Sequence, residues 1–154
     1  MENIKLPILK HVGIMSKDLM KSTEAMTATF PALSAWEYFR NFRLYEDEMV
    51  VGEPCVLDIA VAKMDGVTYE VVAAIENMSC YQAIETQGFH HIAYVYPVEY
   101  GDEFDKEKQR LLDQGCKVVW AAHRRDGERV YYLQPKDCEI ILELAHVPQT
   151  ADEI

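Results

Sequence analysis

The same order of elements reads twice along this chain, and that repeat limits the fold more than any other feature. Ile8–Ile14 is a short apolar run with the character of a strand. Ser16 as N-cap, with Asp18 in the next turn, predicts a helix over 17–30 that Pro31 stops. Trp36–Leu44, Cys55–Ala62 and Val67–Ile75 read as strands, the last two joined at the hairpin signal Asp65-Gly66. A connector follows over 77–87, and the order begins again. Phe89–Tyr96 reads as a strand and Phe104–Gln114 as a helix, with Asp102 as its N-cap and Gly115 at its left-handed C-terminal position. Lys117–Ala122, Glu128–Leu133 and Glu139–Ala145 complete the second round, with a turn at Asp126-Gly127. From Pro148 the chain is polar and acidic and is expected to fray. The reading is an α+β fold: two βαβββ modules in tandem, about 8–76 and 89–146, in one domain over 1–154. A ferredoxin-like chain would alternate differently, as βαββαβ. Two βαβββ modules side by side curve into an open, cup-shaped mixed sheet.

Composition narrows the partners. The 154 residues carry 15 basic and 26 acidic side chains, a net charge of −11. Phosphate backbones and anionic membranes need clustered Lys and Arg, so neither nucleic acid nor a membrane surface is an expected partner. A divalent cation, which needs carboxylates, remains open. No apolar run approaches the roughly 18–20 residues of a membrane span, and Met1–Pro7 has no hydrophobic signal core. The four cysteines, Cys55, Cys80, Cys116 and Cys138, include no CxxC pair, and reduced thiols in a cytoplasmic protein are expected.

The repeat also aligns chemistry. The first strand of each module carries a histidine, His11 and His91, and the last strand carries a glutamate in an apolar run, Glu70 and Glu143. The histidines are 80 residues apart and the glutamates 73. In Leu142-Glu143-Leu144 and Tyr69-Glu70-Val71 alternation turns the carboxylate away from both neighbours. A carboxylate on an apolar strand needs a partner, and a divalent cation is one. Two imidazoles and two carboxylates suit Zn, Ni, Co, Mn or Fe, with positions left for substrate or water. A single histidine or glutamate on a strand is ordinarily structural; four in register across a repeat point to one metal ion.

Gly88-Phe89-His90-His91-Ile92-Ala93-Tyr94 resembles the second-module opening of methylmalonyl-CoA epimerases and related glyoxalase-type proteins, the vicinal oxygen chelate superfamily. His11-Val12-Gly13-Ile14 is similar to its first-module opening. Val67–Val71 and Ile141–Leu144 resemble the strand ends that supply its ligands. The resemblance runs from about Leu9 to His146. It implies a glyoxalase-like fold, a homodimer, and His11, Glu70, His91 and Glu143 as metal ligands, with His90 turned to the other face. It also implies a base near Val56-Leu57-Asp58-Ile59, where Asp58 stands in place of the epimerases' glutamate. Bacterial epimerases commonly carry Gln at the Glu70 position, and the set here is that of bacterial glyoxalase I. The expected activity is that of a divalent-metal-dependent epimerase, isomerase or lyase acting on a proton next to a carbonyl, with Glu143 and Asp58 as catalytic carboxylates. The expected substrate is a small molecule such as an acyl-CoA or a thiol adduct. An iron(II) extradiol-type dioxygenase and a non-catalytic binding or resistance protein are the alternatives.

Arg129 and Tyr131 share a strand parity, and a guanidinium fork suits a substrate carboxylate or phosphate, so both are candidate substrate-binding residues. His123, Arg124 and Arg125 form a basic patch that suits either a CoA phosphate or a solvated loop. Trp36, Tyr38 and Phe39 read as core or dimer contacts, and His146 as exposed.

Overall fold

The two rounds of elements are both present in the computed structural model of the chain, which describes residues 5–76 and 88–154. The predicted connector and Cys80 lie outside the described residues. The first module comprises β1 (Ile8–Ser16), α1 (Leu19–Thr29), β2 (Glu37–Arg43), β3 (Met49–Val51), β4 (Val56–Met64) and β5 (Val67–Glu76). The second comprises β6 (Gly88–Tyr96), α2 (Gly101–Asp113), β7 (Lys117–His123), β8 (Arg129–Gln134) and β9 (Ile141–His146). The strands form one mixed sheet in the order β2-β4-β5-β1-β6-β9-β8-β7-β3. Each module contributes the same four-strand order, and the two meet where β1 runs antiparallel to β6. Within each module the first strand is parallel to the last, β1 to β5 and β6 to β9.

Sequence and structure differ at several ends. Asp18, not Ser16, caps α1: its side chain accepts from the Lys21 amide at 3.0 Å. The Ser16 hydroxyl instead accepts from the Asp18 amide and contacts the Ser22 hydroxyl at 2.7 Å. Helix α2 begins at Gly101, which leaves Asp102 in its first turn rather than at its cap. Strand β3 has no counterpart in the prediction; it crosses to pair with β7 of the other module. The tail does not fray. The Val98 amide donates to Gln149 at 3.0 Å, and the Ala151 amide donates to the Glu99 carboxylate at 2.9 Å. His146 ends β9 half-buried against the Phe104 ring.

Both faces of the sheet are apolar, which explains the lack of a simple inside–outside pattern. On the outer face Ala60, Val71 and Ala73 pack with Leu19 of α1, and Leu133 and Leu144 pack on Phe104 of α2. The concave face carries Met15, Leu57, Val72, Val95, Trp120, Val130 and Ala145, and its remaining volume is the cup. Alternation along each strand therefore decides which residues serve the helices and which serve the cup. Of the thiols, Cys55, Cys116 and Cys138 are free, and burial pushes Cys55 up to about 11.

Candidate metal centre

The site lies at the module junction and follows from sheet register. His11 on β1 stands opposite Ala93 on β6, and Ala93 stands opposite Glu143 on β9. By the same geometry His91 on β6 stands opposite Gly13 on β1, and Gly13 opposite Glu70 on β5. Each histidine is thus separated from a glutamate by one very small residue. The space between is filled by imidazole: a Cβ on Gly13 would fall 2.0 Å from Cε1 of His91. The sheet order puts β5 and β9 on opposite sides of the β1–β6 pair, so the two carboxylates approach the histidines from opposite sides.

The four side chains converge. The Nε2 atoms of His11 and His91 are 2.9 Å apart. Glu70 Oε1 lies 3.5 Å from each of them. Glu143 Oε2 lies 3.5 Å from His11 and 3.3 Å from His91. Metal–ligand bonds of about 2.0–2.1 Å place neighbouring ligand atoms about 3.0 Å apart at a right angle and about 3.4 Å apart at a tetrahedral one. The observed spacings, 2.9–3.5 Å, lie within about 0.1 Å of those values, so the donor set fits a divalent ion. His11, His91 and Glu143 form the tighter group.

Supporting contacts fix the ring orientations. The register slips between Gly13 and Ile14, where one β6 residue, His90, goes unmatched. This bulge breaks the parity that would turn His90 to the other face. Its Nδ1 lies 2.8 Å from Nδ1 of His91, and both rings are buried. Tyr132 stands opposite Glu143 in register and hydrogen-bonds its carboxylate. Its ring also lies 5.2 Å from that of His91.

Electrostatics tie the cluster together. Burial alone would lower the His11 pKa, but the Glu143 and Glu70 carboxylates outweigh it and raise it to about 9. Burial alone would raise Glu143, but His11, His91 and Tyr132 outweigh it and hold the carboxyl well below its usual range. A histidine raised in the folded state contributes fully below its unfolded value near 6.5, and the contribution fades as pH rises through about 9. In chelator-treated protein the melting midpoint should fall over that window, with a loss on the order of 3 kcal/mol. His11→Gln should abolish the fall. A flat midpoint from pH 6.5 to 9 in wild-type protein would contradict the cluster.

The other expected site residues lie elsewhere. Asp58 shares the outer face of β4 with Ala60, while Leu57, Ile59 and Val61 line the cup. Its carboxylate is taken by Arg40 Nη1 at 2.7 Å and by the Asn41 amide at 2.8 Å. Burial works to raise the Asp58 carboxyl, but these two donors prevail and hold it low. It is not placed to act as a base in the cup. Arg129 and Tyr131 also face outward, because it is Val130 and Tyr132 that point into the cup. Arg129 contacts both Asp105 oxygens at 3.2 Å and covers the Phe104 ring. The Tyr131 hydroxyl lies 2.8 Å from Nε2 of His123. The expected basic patch is internally paired: Arg124 with Asp126 and Glu128, and Arg125 with Asp47.

Above the cluster opens a cavity of about 680 Å³ that His11, Glu70, Glu143 and Tyr132 line from below. Phe39, Phe42, Leu57, Ile59, Val61 and Trp120 supply most of its wall. Lys10 and Lys63 are exposed at its rim. Its polar groups away from the cluster include Arg124, expected from the sequence only as part of a basic patch, and Glu128, to which sequence reasoning gave no role.

A protein-family model described as the Glyoxalase/Bleomycin resistance protein/Dioxygenase superfamily matches residues 10–132. No curated protein matches the chain. Solved structures do. A hypothetical protein from Bacillus halodurans superimposes with a TM-score of 0.61 at 15% identity, covering 96% of this chain and 99% of the other. A variant of Streptomyces coelicolor methylmalonyl-CoA epimerase, in complex with 2-nitronate-propionyl-CoA, gives 0.57 at 23% identity, over 93% and 96%. A variant of 4-hydroxymandelate synthase from Streptomyces coelicolor gives 0.53 at 14% identity, over 94% of this chain and 50% of that one. At these identities the likeness is one of fold.

Proposed function

This chain belongs to the glyoxalase/bleomycin resistance protein/dioxygenase superfamily, and from that premise we propose that it is a divalent-metal-dependent isomerase, epimerase or lyase acting on a proton next to a carbonyl group. The observation that carries the reading is the convergence of His11, His91, Glu70 and Glu143 at metal-ligand spacing on the floor of an open cavity. These four residues would hold the ion. When bound there, a divalent ion supplies Lewis acidity that makes hydrogen next to a carbonyl more acidic.

The remaining work falls to the chain itself. The apolar wall excludes water and seats a largely apolar substrate, and a volume of about 680 Å³ suits a drug-sized molecule. Lys10 and Lys63 at the rim favour an anionic tail, such as that of an acyl-CoA. Glu143 is a candidate proton carrier, held by the Tyr132 hydroxyl until it moves. The family resemblance adds a homodimer, which sedimentation would test.

The test is metal content by mass spectrometry on tag-free protein, followed by solvent-deuterium exchange into methylmalonyl-CoA. About one divalent ion per chain, with exchange at the α-carbon, is the expected result. Protein that takes up no Zn, Ni, Co, Mn or Fe(II) on reconstitution would sink the reading and leave a cup-shaped binding protein. A second reading, an iron(II) dioxygenase, draws on the compactness of the His11, His91 and Glu143 group, because that chemistry uses two histidines and one carboxylate. Oxygen uptake by the Fe(II)-loaded protein separates the two.

A further inference from the structure

We propose that Glu128 is a second acid–base carboxylate of the cup, moving the proton at the α-carbon of the bound carbonyl compound. The proposal rests on the reading above and assigns that site a residue outside the metal cluster.

Glu128 sits at the tip of the β7–β8 hairpin, on the same side of its strand as Val130 and Tyr132, and all three line the cavity. It is therefore on the concave face that also carries Glu143. Its side chain is 19% exposed, unlike the 49% of its hairpin neighbour Asp126. One oxygen, Oε2, accepts from Arg124 Nη1 at 2.5 Å. The other, Oε1, has no hydrogen-bond donor among the described residues.

Arg124 is built as a support rather than as a full neutraliser. Its second nitrogen is shared with Asp126 at 2.7 Å, and its guanidinium lies 4.9 Å from the centre of the Phe42 ring on the opposite edge of the sheet. Asp126 also accepts from the Glu128 amide at 3.1 Å, so the hairpin backbone is pinned as well. The result is a carboxylate on the cavity lining with one oxygen anchored by Arg124 and one without a donor among the described residues. Burial pushes its carboxyl up, Arg124 works against this, and Glu143 adds to the rise. A carboxyl raised toward neutrality suits proton transfer better than one tied down as Asp58 is.

The step balances within the site. The Glu128 carboxylate takes the α-hydrogen as a proton; the C–H bond breaks and an O–H bond forms. The electron pair moves toward the carbonyl to give an enolate. Return of the proton to the same or the neighbouring carbon restores the carboxylate, so no co-reactant is needed.

The experiment compares metal-reconstituted wild type, Glu128→Gln and Glu128→Asp in deuterated water, with methylmalonyl-CoA and 2-phenylpropanoyl-CoA as probes. The expected result is that E128Q slows deuterium entry at the α-carbon at least about 100-fold. E128D should recover part of it, and both variants should keep the wild-type metal content and melting midpoint. E128Q exchanging within about threefold of wild type overturns the role of Glu128 and leaves the metal-dependent reading standing. Loss of metal or of fold in E128Q overturns it too, since the residue is then structural. A loaded wild type that exchanges neither probe overturns both the role and the reading.

Discussion

His91→Ala and Glu143→Ala should each take the protein from about one bound divalent ion per chain to almost none, with a loss of affinity beyond the roughly 10–100-fold that removing a mere supporting partner costs. Both residues belong to the tightest group, with Glu143 Oε2 3.3 Å from His91 Nε2. Both are buried. Glu70→Gln should behave differently. Glu70 reaches the same two nitrogens at 3.5 Å from the other side of the histidine pair, and an amide oxygen retains a lone pair for coordination. Metal should stay in E70Q with weaker affinity. Dialysis against a buffered metal, followed by mass spectrometry, measures all three. Equal and complete loss in E70Q would mean that both carboxylates are indispensable. Full retention in H91A would mean that the four side chains form a hydrogen-bonded cluster and not a metal site.

How far a sequence can expose such a site depends on which signals survive folding. The repeat survives because each module must bury an apolar face on both sides of its strands, so the order of elements appears twice. The matched histidines and glutamates survive for the same reason: the pseudo-symmetric register sets His11 and His91, and Glu70 and Glu143, at corresponding points. What does not survive is the choice of face. Asp58, between Leu57 and Ile59, reads the same whether it faces the cup or helix α1, because both faces are apolar. The same ambiguity covers Arg129 and Tyr131, which alternation turns away from the cup. His90 fails differently, since a one-residue bulge overrides alternation. Strand β3 is three residues long and pairs with β7 of the second module, a contact with no local trace. Glu128 reads only as the first residue of a strand after the Asp126-Gly127 turn; its place in the cup comes from the curl of the sheet, which brings Phe42 of one edge up to Arg124 near the other.

At Gly13 a single methyl group should be enough to break the site. Its backbone is ordinary for a strand, so alanine meets no conformational penalty there. The obstacle is His91, whose Cε1, Nε2 and Nδ1 would lie 2.0–2.3 Å from the new Cβ. That ring is fully buried, with the His11, His90 and Tyr132 rings around it, and has nowhere to go. Gly13→Ala should therefore cost about 3 kcal/mol in stability, at the upper end of what overpacking usually costs, and should lose the metal as well. The steric cause has a distinctive signature. In the His91→Ala background the imidazole is gone, and the same methyl group enters space that the ring had filled. The G13A cost should then fall close to zero, giving an interaction energy in the double-mutant cycle nearly as large as the single-mutant effect. Denaturant unfolding of the four proteins, all treated with chelator so that metal binding does not enter the comparison, measures it. An undiminished cost in the double mutant would mean that Gly13 is needed for the strand itself. A coupling that cancels the cost would establish that this glycine exists to let one strand's histidine lie across the next strand's backbone, which is the packing that brings the two modules' ligands to a single point.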